Sequence, residues 1–214
     1  MRDEYRHKGA RRKLVDTLQK KGIKDEAVLA AIHAIPRHWF IDSAFEVQAY
    51  EDKAFPIGKG QTISQPYTVA FQTALLQVQK REKVLEVGTG SGYQAVILAA
   101  LGARVFTLER QSVLYKRSQQ LVHHLRINNI RCYLRDGYKG IPELAPFDKI
   151  LVTAGATTIP ERLKEQLRIG GKMVVPIGEK TQEMYCIERV SEQEYETKVY
   201  GKFQFVPFLE GIVQ

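Results

Sequence analysis

The chain has 214 residues, with a hydrophobic fraction of 44% and a charged fraction of 26%, as expected for one globular domain with a full-sized core. It contains no apolar run of membrane-spanning length, so no contact with a membrane is expected. Residues 1–6 lack the apolar core of a signal peptide, which predicts a cytoplasmic protein. Two cysteines and five histidines show no metal-ligand spacing, so no metal is expected.

The formal net charge of +8 corresponds to a sequence pI near 9.4. Basic residues gather early, at Arg11-Arg12-Lys13 and Lys20-Lys21, as they do on surfaces that bind nucleic acid. They alternate with acidic residues, however, and this favours ordinary solvated helix faces. The charge would also attract an anionic peptide, so by itself it does not choose between these interpretations.

Helical spacing dominates the first third of the chain. Leu14 and Leu18 predict a helix that ends near Gly22. Asp25 is expected to cap a second helix, which Pro36 ends. Residues 37–65 are expected to be irregular, and a third helix is predicted to begin after Pro66.

From Lys83 onward, apolar β-rich runs alternate with helical patterns. Strands are predicted at 83–87, 104–108, 130–134, 148–153 and 172–177, with helices at 93–101, 111–127 and 160–168 and a turn at Gly170-Gly171. This alternation predicts an α/β fold with a doubly wound, Rossmann-like and mostly parallel sheet. Residues 183–190 and 195–205 predict a hairpin that adds antiparallel strands at one edge.

The first predicted strand of this region leads into glycines at alternate positions. A dinucleotide-binding motif would need a further glycine at Tyr93, which is absent, and Glu86 suits a cationic ligand better than a pyrophosphate. The pattern Glu86-x-Gly88-x-Gly90-x-Gly92 resembles the first motif of S-adenosylmethionine-dependent methyltransferases, whose cofactor carries an ammonium and a sulfonium. The alternative is a glycine turn that serves packing alone.

Two further strand ends carry acidic residues. Glu109 ends the second strand, where a carboxylate can accept hydrogen bonds from both ribose hydroxyls. Asp136 and Gly137 follow the third strand, at the position where methyltransferases of this class contact the adenine. Thr153 ends the fourth strand, and the small residues after it leave room for a ligand. Three successive strand ends with an acidic residue, at Glu86, Glu109 and Asp136, are hard to explain by packing alone.

Two kinds of nucleic-acid methyltransferase lack support in the sequence. Amino-methyltransferases usually carry Asp or Asn, two prolines and an aromatic residue after the fourth strand, where this chain has Thr153-Ala154-Gly155-Ala156. A pyrimidine C5-methyltransferase needs a nucleophilic cysteine after proline, and neither Cys132 nor Cys186 has that context.

The loop before the third helix is rich in glycine and hydroxyl groups, and Ser64 within it could simply cap that helix. The run Thr62-Ile63-Ser64-Gln65-Pro66-Tyr67, together with residues 85–93, resembles the protein-L-isoaspartate O-methyltransferase family. Agreement continues from the second helix to the C-terminal run 205–208. Gly155 and Thr157 depart from the usual alanine and proline, which affects details of cofactor contact.

The resemblance implies methyl transfer from S-adenosyl-L-methionine to the free α-carboxyl of L-isoaspartyl residues in damaged proteins and peptides, with S-adenosyl-L-homocysteine as the product. The ester then cyclises to a succinimide, and hydrolysis restores some normal aspartate. One domain, 1–214, is expected to comprise the N-terminal helices and substrate loop (1–80), the cofactor-binding core (81–180) and a C-terminal β-hairpin region (181–214). A monomer is expected.

The resemblance also assigns residue roles. Ser64 matches the active-site serine, and we expect it to position the substrate without forming a covalent bond. The expected substrate contacts are Thr62, Ile63, Ser64, Gln65 and Val206. The expected cofactor contacts are Glu86, Gly88, Thr89, Gly90, Ser91, Gly92, Glu109, Arg110, Asp136, Gly137 and Thr153. Val206 could instead be an ordinary core valine.

Two alternatives to the repair enzyme remain at this stage. The first is an RNA or DNA methyltransferase, which only the net charge favours. Because no motif supports it, no nucleic-acid partner is expected. A cofactor-binding module without catalysis is disfavoured by the intact loop around Ser64, for which such a module has no use.

Overall fold

The computed structural model describes residues 2–214, in which helices and strands alternate after an N-terminal helical segment. The helices are α1 (Tyr5–Lys20), α2 (Glu26–Ala34), α3 (Pro66–Leu76), α4 (Tyr93–Ala100), α5 (Ser112–His124) and α6 (Glu161–Lys164). The strands are β1 (Phe55–Gly58), β2 (Gln61–Ile63), β3 (Lys83–Val87), β4 (Arg104–Glu109), β5 (Ile130–Leu134), β6 (Phe147–Val152), β7 (Leu167–Ile177), β8 (Gln182–Arg189) and β9 (Tyr195–Phe203).

The central sheet has seven strands in the order β5-β4-β3-β6-β7-β8-β9. Strands β3 to β7 pair in parallel, whereas β8 and β9 join the β7 edge in antiparallel pairs. The predicted doubly wound sheet with antiparallel C-terminal strands is therefore confirmed. The strand order reverses between β3 and β6: β4 and β5 lie on one side of β3, and β6 and β7 lie on the other. Ligands of such sheets bind outside the carboxyl ends of the strands at this point.

Two hydrophobic clusters cover the two faces of the sheet. Along β3, Val84 belongs to one cluster while Leu85 and Val87 belong to the other. This alternation is the period of two that a strand imposes on its side chains, and it places Glu86 on the same face as Val84. The cluster on the Val84 face also contains the buried side chains of α1 and α2, so the N-terminal helices are part of the core.

The N-terminal helices form where the sequence predicts them. In α1, Leu14 and Leu18 are buried, and Gly22, beyond its end, has φ +97°. In α2, the Asp25 side chain accepts a hydrogen bond from the Val28 N–H at 3.0 Å, which confirms its capping role. Among residues 2–214, no helix combines the length and the apolar character needed to cross a membrane.

The segment 37–65, expected to be irregular, is more ordered than the sequence indicates. It contains 3₁₀ turns at Arg37–Phe40 and Ser43–Gln48, followed by the antiparallel hairpin β1–β2. The hairpin turn is tight because Gly58 and Gly60 adopt φ of +92° and +68°. Strands this short carry too few alternating residues for a pattern to be visible.

The region after β6 also differs from the prediction. The helix expected at 160–168 is a single turn, Glu161–Lys164, because Leu167 already pairs with Phe147 in β7. Gly170-Gly171, expected as a turn, lies inside β7, where the register between β6 and β7 shifts. Gly170 has φ +75°, so this glycine pair allows the strand to bulge and continue rather than end.

Candidate active site

A cleft opens at the carboxyl ends of β3, β4 and β6, where the strand order of the sheet reverses. The space between its walls, open mouth included, is about 810 Å³. Its walls come from four strand ends, from the β1–β2 hairpin and from the segment after β9. They comprise 61–64, 87–91, 108–110, 135, 137, 153–154 and 206–209, together with Val69, Tyr93 and Gln94.

The glycine motif forms the turn between β3 and α4. Gly88, Gly90 and Gly92 have φ of +102°, +52° and +85°, which L-residues with side chains rarely adopt. A Cβ on Gly88 would collide with Thr153 Oγ1, which donates to the Gly88 carbonyl at 2.7 Å. Gly88, Gly90 and Thr153 line the cleft, whereas Gly92 is buried at the start of α4. The missing side chains let a ligand approach the backbone.

Glu109 lies at the end of β4 and lines the same cleft. Its two carboxylate oxygens accept hydrogen bonds from the N–H groups of Gly90 and Gln111, both at 2.8 Å. Burial raises the pKa of the Glu109 carboxyl above its ordinary value, while these backbone donors oppose the rise. Each oxygen keeps a further lone pair, so the group can still accept hydrogen bonds from two adjacent hydroxyls.

The third strand end supplies Asp136 and Gly137 in different ways. The Asp136 side chain is buried outside the cleft, where it accepts a hydrogen bond from the Tyr138 N–H at 3.0 Å. Gly137 lines the cleft, and a Cβ there would lie 2.8 Å from the Phe208 ring. Phe208 stacks on Tyr138 with ring centroids 3.9 Å apart. Asp136 therefore holds the backbone turn that brings Gly137 to this aromatic wall.

Glu86 does not reach the cleft wall. Its side chain is fully buried on the Val84 face of β3, and within residues 2–214 neither carboxylate oxygen has a hydrogen-bond partner. Burial raises the pKa of Glu86 to about 8. The neighbouring Thr107 hydroxyl lowers the Glu86 pKa and so offsets part of this rise. That hydroxyl is itself hydrogen-bonded to the Thr89 hydroxyl at 2.6 Å. Direct contact between Glu86 and a cofactor stays a prediction.

The β1–β2 hairpin brings Thr62, Ile63 and Ser64 to the cleft. The alternative role of Ser64 as a helix cap does not match the structure. Gln65 is the N-cap residue of α3, and the first-turn N–H of Tyr67 donates to the Asp52 carboxylate at 2.7 Å. Asp52 also accepts hydrogen bonds from the Gln65 side chain. Because Asp52 caps the helix, the Ser64 hydroxyl is not needed there.

A groove adjoins the cleft and shares Thr62, Ser64, Thr153 and Val206 with it. Gln65 lines this groove rather than the cleft. Five aromatic rings also line the groove, and they come from α3, β9 and the segment after β9, namely Tyr67, Phe71, Tyr200, Phe203 and Phe205. The groove therefore meets the cleft at Ser64.

Val206 is not a core valine. It is half-buried, belongs to neither hydrophobic cluster and lines both the cleft and the groove. Its carbonyl accepts a hydrogen bond from the Gly155 N–H at 2.8 Å, and the Phe208 N–H donates to the Gly155 carbonyl at 2.8 Å. This ladder fixes the segment after β9 against the end of β6.

Arg110 holds the C-terminal segment on the far side of the cleft. Its guanidinium donates to the carbonyls of Gly211 and Glu210, both at 2.9 Å. The backbone of Val213 pairs with Arg110 and Ser112 in addition. Pro207, Phe208 and Leu209 thereby become cleft walls, which motif spacing did not predict. The run 205–208 was the one sequence signal for this wall.

Comparisons with known proteins agree with this geometry. A family model for Protein-L-isoaspartate(D-aspartate) O-methyltransferase (PCMT) matches residues 9–212. A Protein-L-isoaspartate O-methyltransferase of Christiangramia forsetii is 55% identical over 210 residues, covering 98% of this chain and 99% of the relative. One of Flavobacterium johnsoniae is 56% identical, with the same coverage of both chains.

Solved structures are similar over nearly the same range. One, from Plasmodium falciparum, is classified as a protein-L-isoaspartate O-methyltransferase and was solved with S-adenosyl-L-homocysteine. It superposes with a TM-score of 0.83 at 28% identity, covering 96% of this chain and 99% of the other. A second protein-L-isoaspartate O-methyltransferase has a TM-score of 0.83 at 29% identity, and the match spans 92% of this chain and 65% of that chain.

The family model and the two bacterial relatives each match nearly the whole length of this chain. The match includes the glycine turn, the hairpin that carries Ser64 and the C-terminal wall. The chain belongs to the protein-L-isoaspartate(D-aspartate) O-methyltransferase family.

Proposed function

We infer that this protein methylates the free α-carboxyl of L-isoaspartyl residues in damaged proteins and peptides. The methyl donor is S-adenosyl-L-methionine, and S-adenosyl-L-homocysteine is released. One observation carries this inference: Ser64, directly after the β1–β2 hairpin, and Glu109, at the carboxyl end of β4, line one cleft, which is continuous with an open groove. The cleft can hold a nucleoside, and the groove can hold an extended peptide.

The residues present fit the cofactor. The glycine turn leaves space beside the backbone that a Cβ at Gly88 would fill, and the Glu109 carboxylate can accept hydrogen bonds from ribose hydroxyls. When bound, S-adenosylmethionine supplies an electrophilic methyl group on its sulfonium. We propose that the methionine part lies along Gly88, Thr89, Gly90 and Ser91, the ribose at Glu109, and the adenine against Gly137.

The reaction needs no strong base from the protein. A carboxylate is ionised at neutral pH and is already a nucleophile. Along the described cleft wall the one carboxyl group is that of Glu109, which the backbone already holds. The task of the protein is therefore to orient the substrate oxygen and to exclude water. The apolar walls at Ile63, Phe208 and Leu209 provide the exclusion.

Ser64 is proposed to position the substrate carboxylate. It lies where the cleft and the groove meet, and the capping of α3 by Asp52 leaves its hydroxyl available. A hydrogen bond from this hydroxyl would fix the carboxylate without a covalent intermediate. We propose Thr62, Ile63, Gln65 and Val206 as further peptide contacts.

Transfer of labelled methyl groups tests the proposed function. The protein, S-adenosylmethionine and an isoaspartyl peptide are incubated beside the matched aspartyl peptide, and the label is measured as methanol released at mildly alkaline pH. Label on the isoaspartyl peptide alone is expected. No transfer to either peptide, with S-adenosyl-L-homocysteine still bound, would contradict the assigned substrate and leave the cofactor site intact.

The protein is further proposed to act as a cytoplasmic monomer that does not use nucleic acid. Both cleft arginines already have protein partners: Arg110 holds backbone carbonyls, and Arg135 pairs with Glu143 at 2.6 Å. Light scattering tests the monomer. Filter binding at low salt tests whether the protein binds nucleic acid, since steep salt-dependent RNA affinity would contradict the proposal that it does not.

We propose that the chain folds as a single domain, because the cleft walls come from all three of its segments. The wall at 61–64 comes from the segment 1–80, the strand ends come from 81–180, and the C-terminal wall comes from 181–214. A cleft assembled from all three segments requires them to fold together. A single unfolding transition in urea is expected, and two separated transitions would contradict this organisation.

A further inference from the structure

Arg37 lies in the 3₁₀ turn that follows α2, and its side chain is fully buried. Its Nη2 donates to the carbonyl oxygen of Ser64 at 2.7 Å and approaches the carbonyl of Lys53 at 3.4 Å. The guanidinium therefore contacts the backbone of the residue that is proposed to hold the substrate. This contact joins two segments that are distant in sequence.

The remaining donors of Arg37 have no protein acceptor. Among the residues that the structure describes, neither Nε nor Nη1 has a hydrogen-bond partner. The guanidinium carbon lies 4.9 Å from the centroid of the Tyr93 ring, a cation–π distance, and Tyr93 also lines the cleft. Arg37 thus lies between the substrate loop and the wall of the cofactor cleft.

No carboxylate within residues 2–214 forms an ion pair with Arg37. Asp52 is a neighbouring acidic group, but it bonds to the Lys21 ammonium at 2.6 Å and to the Tyr67 N–H at 2.7 Å. Burial lowers the pKa of Arg37 to about 10, so the guanidinium stays charged at neutral pH. A buried charge without a direct ion-pair partner is unfavourable, and proteins rarely keep one.

We propose that Arg37 is a positioning residue for the substrate carboxylate. Its hydrogen bond fixes the Ser64 carbonyl and thereby orients the hydroxyl and backbone of Ser64, while its buried positive charge, which forms no ion pair among the described residues, favours a carboxylate bound at Ser64. The inference rests on the proposed role of the Ser64 loop. It predicts that Arg37 acts on the charge of the substrate as well as on the shape of the loop.

Two peptides separate charge from shape. One carries the isoaspartyl residue with its free α-carboxylate, and the other carries the same residue with that group as a neutral carboxamide. Affinity of both peptides for the S-adenosyl-L-homocysteine-bound protein is measured for wild type, Arg37→Gln and Arg37→Lys. Glutamine removes the charge but keeps a donor for the Ser64 carbonyl, whereas lysine keeps the charge.

Arg37→Gln is expected to weaken binding of the carboxylate peptide by about tenfold, and binding of the carboxamide peptide by less than about threefold. Arg37→Lys should keep the wild-type preference within about threefold. In turnover, the Arg37→Gln change should appear mainly in KM, since the chemical step needs no group from Arg37. Equal losses for both peptides, or no loss for either, would overturn the proposal.

Arg117→Gln is the matched control, because the Arg117 guanidinium also donates to a backbone carbonyl of the hairpin, that of Ile57 at 3.2 Å. It should leave the preference between the two peptides unchanged. If Arg37→Gln does not fold, Arg37→Lys alone still decides, since loss of the carboxylate preference in a folded lysine variant contradicts the electrostatic role. Failure of wild type to methylate the isoaspartyl peptide would refute the proposed function instead.

Discussion

Two buried arginines show how differently this molecule treats buried charge. Arg11, 5% exposed, makes two hydrogen bonds to the Asp3 carboxylate at 2.9 and 3.0 Å and one to the Tyr50 hydroxyl at 3.1 Å. Arg37 is 0% exposed and has no acidic partner in the portion of the chain that the structure describes. None of the hydrogen-bond partners of Arg11 lines the cleft, whereas Arg37 donates to the carbonyl of Ser64, which does.

Other buried polar groups follow the same division. Around Arg11, the His38 ring bonds to the Tyr50 hydroxyl at 2.6 Å and to the Arg2 carbonyl at 3.0 Å. Near the cleft, Tyr93 and Glu86 are buried with polar atoms that no group in residues 2–214 satisfies. Fully paired polar networks fix a structure, whereas unpaired buried groups are expected at functional sites.

Breaking the paired network should have the largest effect. Arg11→Met leaves the Asp3 carboxylate and the Tyr50 hydroxyl without their shared partner, so the free energy of unfolding should fall by about 3 kcal/mol. Urea unfolding measures the change, with the exposed neighbour Arg12→Met as control. S-adenosyl-L-homocysteine affinity should be unchanged, because this network does not line the cleft. Equal stability of both variants would show that pairing at Arg11 contributes little.

Glu86 allows a test of a buried polar group that has no hydrogen-bond partner among the described residues. Its pKa is raised to about 8 in the folded protein, above the ordinary value of 4.5, so the folded state keeps a proton that the unfolded state loses. Wild-type stability from this group is therefore present below about pH 4.5 and is lost as pH rises through 8. A glutamine, which never ionises, does not show this loss.

Glu86→Gln should consequently become more stable than wild type as pH rises from about 5 to 8, by about 2 kcal/mol if half of the shift is realised. Urea unfolding at several pH values measures the difference. The exposed Glu196→Gln serves as control and should follow wild type at every pH. Parallel curves for Glu86→Gln and wild type would mean that Glu86 is ionised in the folded protein.

Glu109 is buried like Glu86, but its oxygens accept backbone hydrogen bonds at the cleft wall. Glu109→Ala should weaken S-adenosyl-L-homocysteine binding by about 1–3 kcal/mol, the scale for losing a carboxylate–hydroxyl contact. Titration calorimetry measures this, and Glu196→Ala should bind as wild type does. An unchanged affinity for Glu109→Ala would refute the ribose role.

The comparison also explains which portions of the site could be predicted from sequence. In a parallel sheet the carboxyl ends of the strands meet at one edge, so residues at these ends, such as Gly88, Glu109, Gly137 and Thr153, were expected together and line one cleft. Local patterns suffice for such residues, because each follows its own apolar run. The rule does not by itself fix the side chain of Glu86, which strand alternation turns toward the core, so its contact with a cofactor stays a prediction.

Long-range contacts carry no such local signal. The capping of α3 by Asp52 joins residues 15 positions apart at the Tyr67 N–H, and the bond from Arg37 to Ser64 spans 27 positions. Strands β1 and β2 have four and three residues, too few for an alternating pattern. These features together place Ser64 at the cleft, so sequence indicated its identity through resemblance but not the contacts that hold it.

Ser64 gives the smallest of the expected effects, because its proposed role is one hydrogen bond. Ser64→Ala should lower kcat/KM for an isoaspartyl peptide by about tenfold, or about 1.4 kcal/mol, with stability and cofactor affinity unchanged. The intact α3 cap at Asp52 is the reason that stability should not fall. Asp52→Ala is the informative contrast, because it removes that cap and should destabilise the fold. If Ser64→Ala destabilised the protein as Asp52→Ala does, Ser64 would belong with the paired structural network rather than with the site.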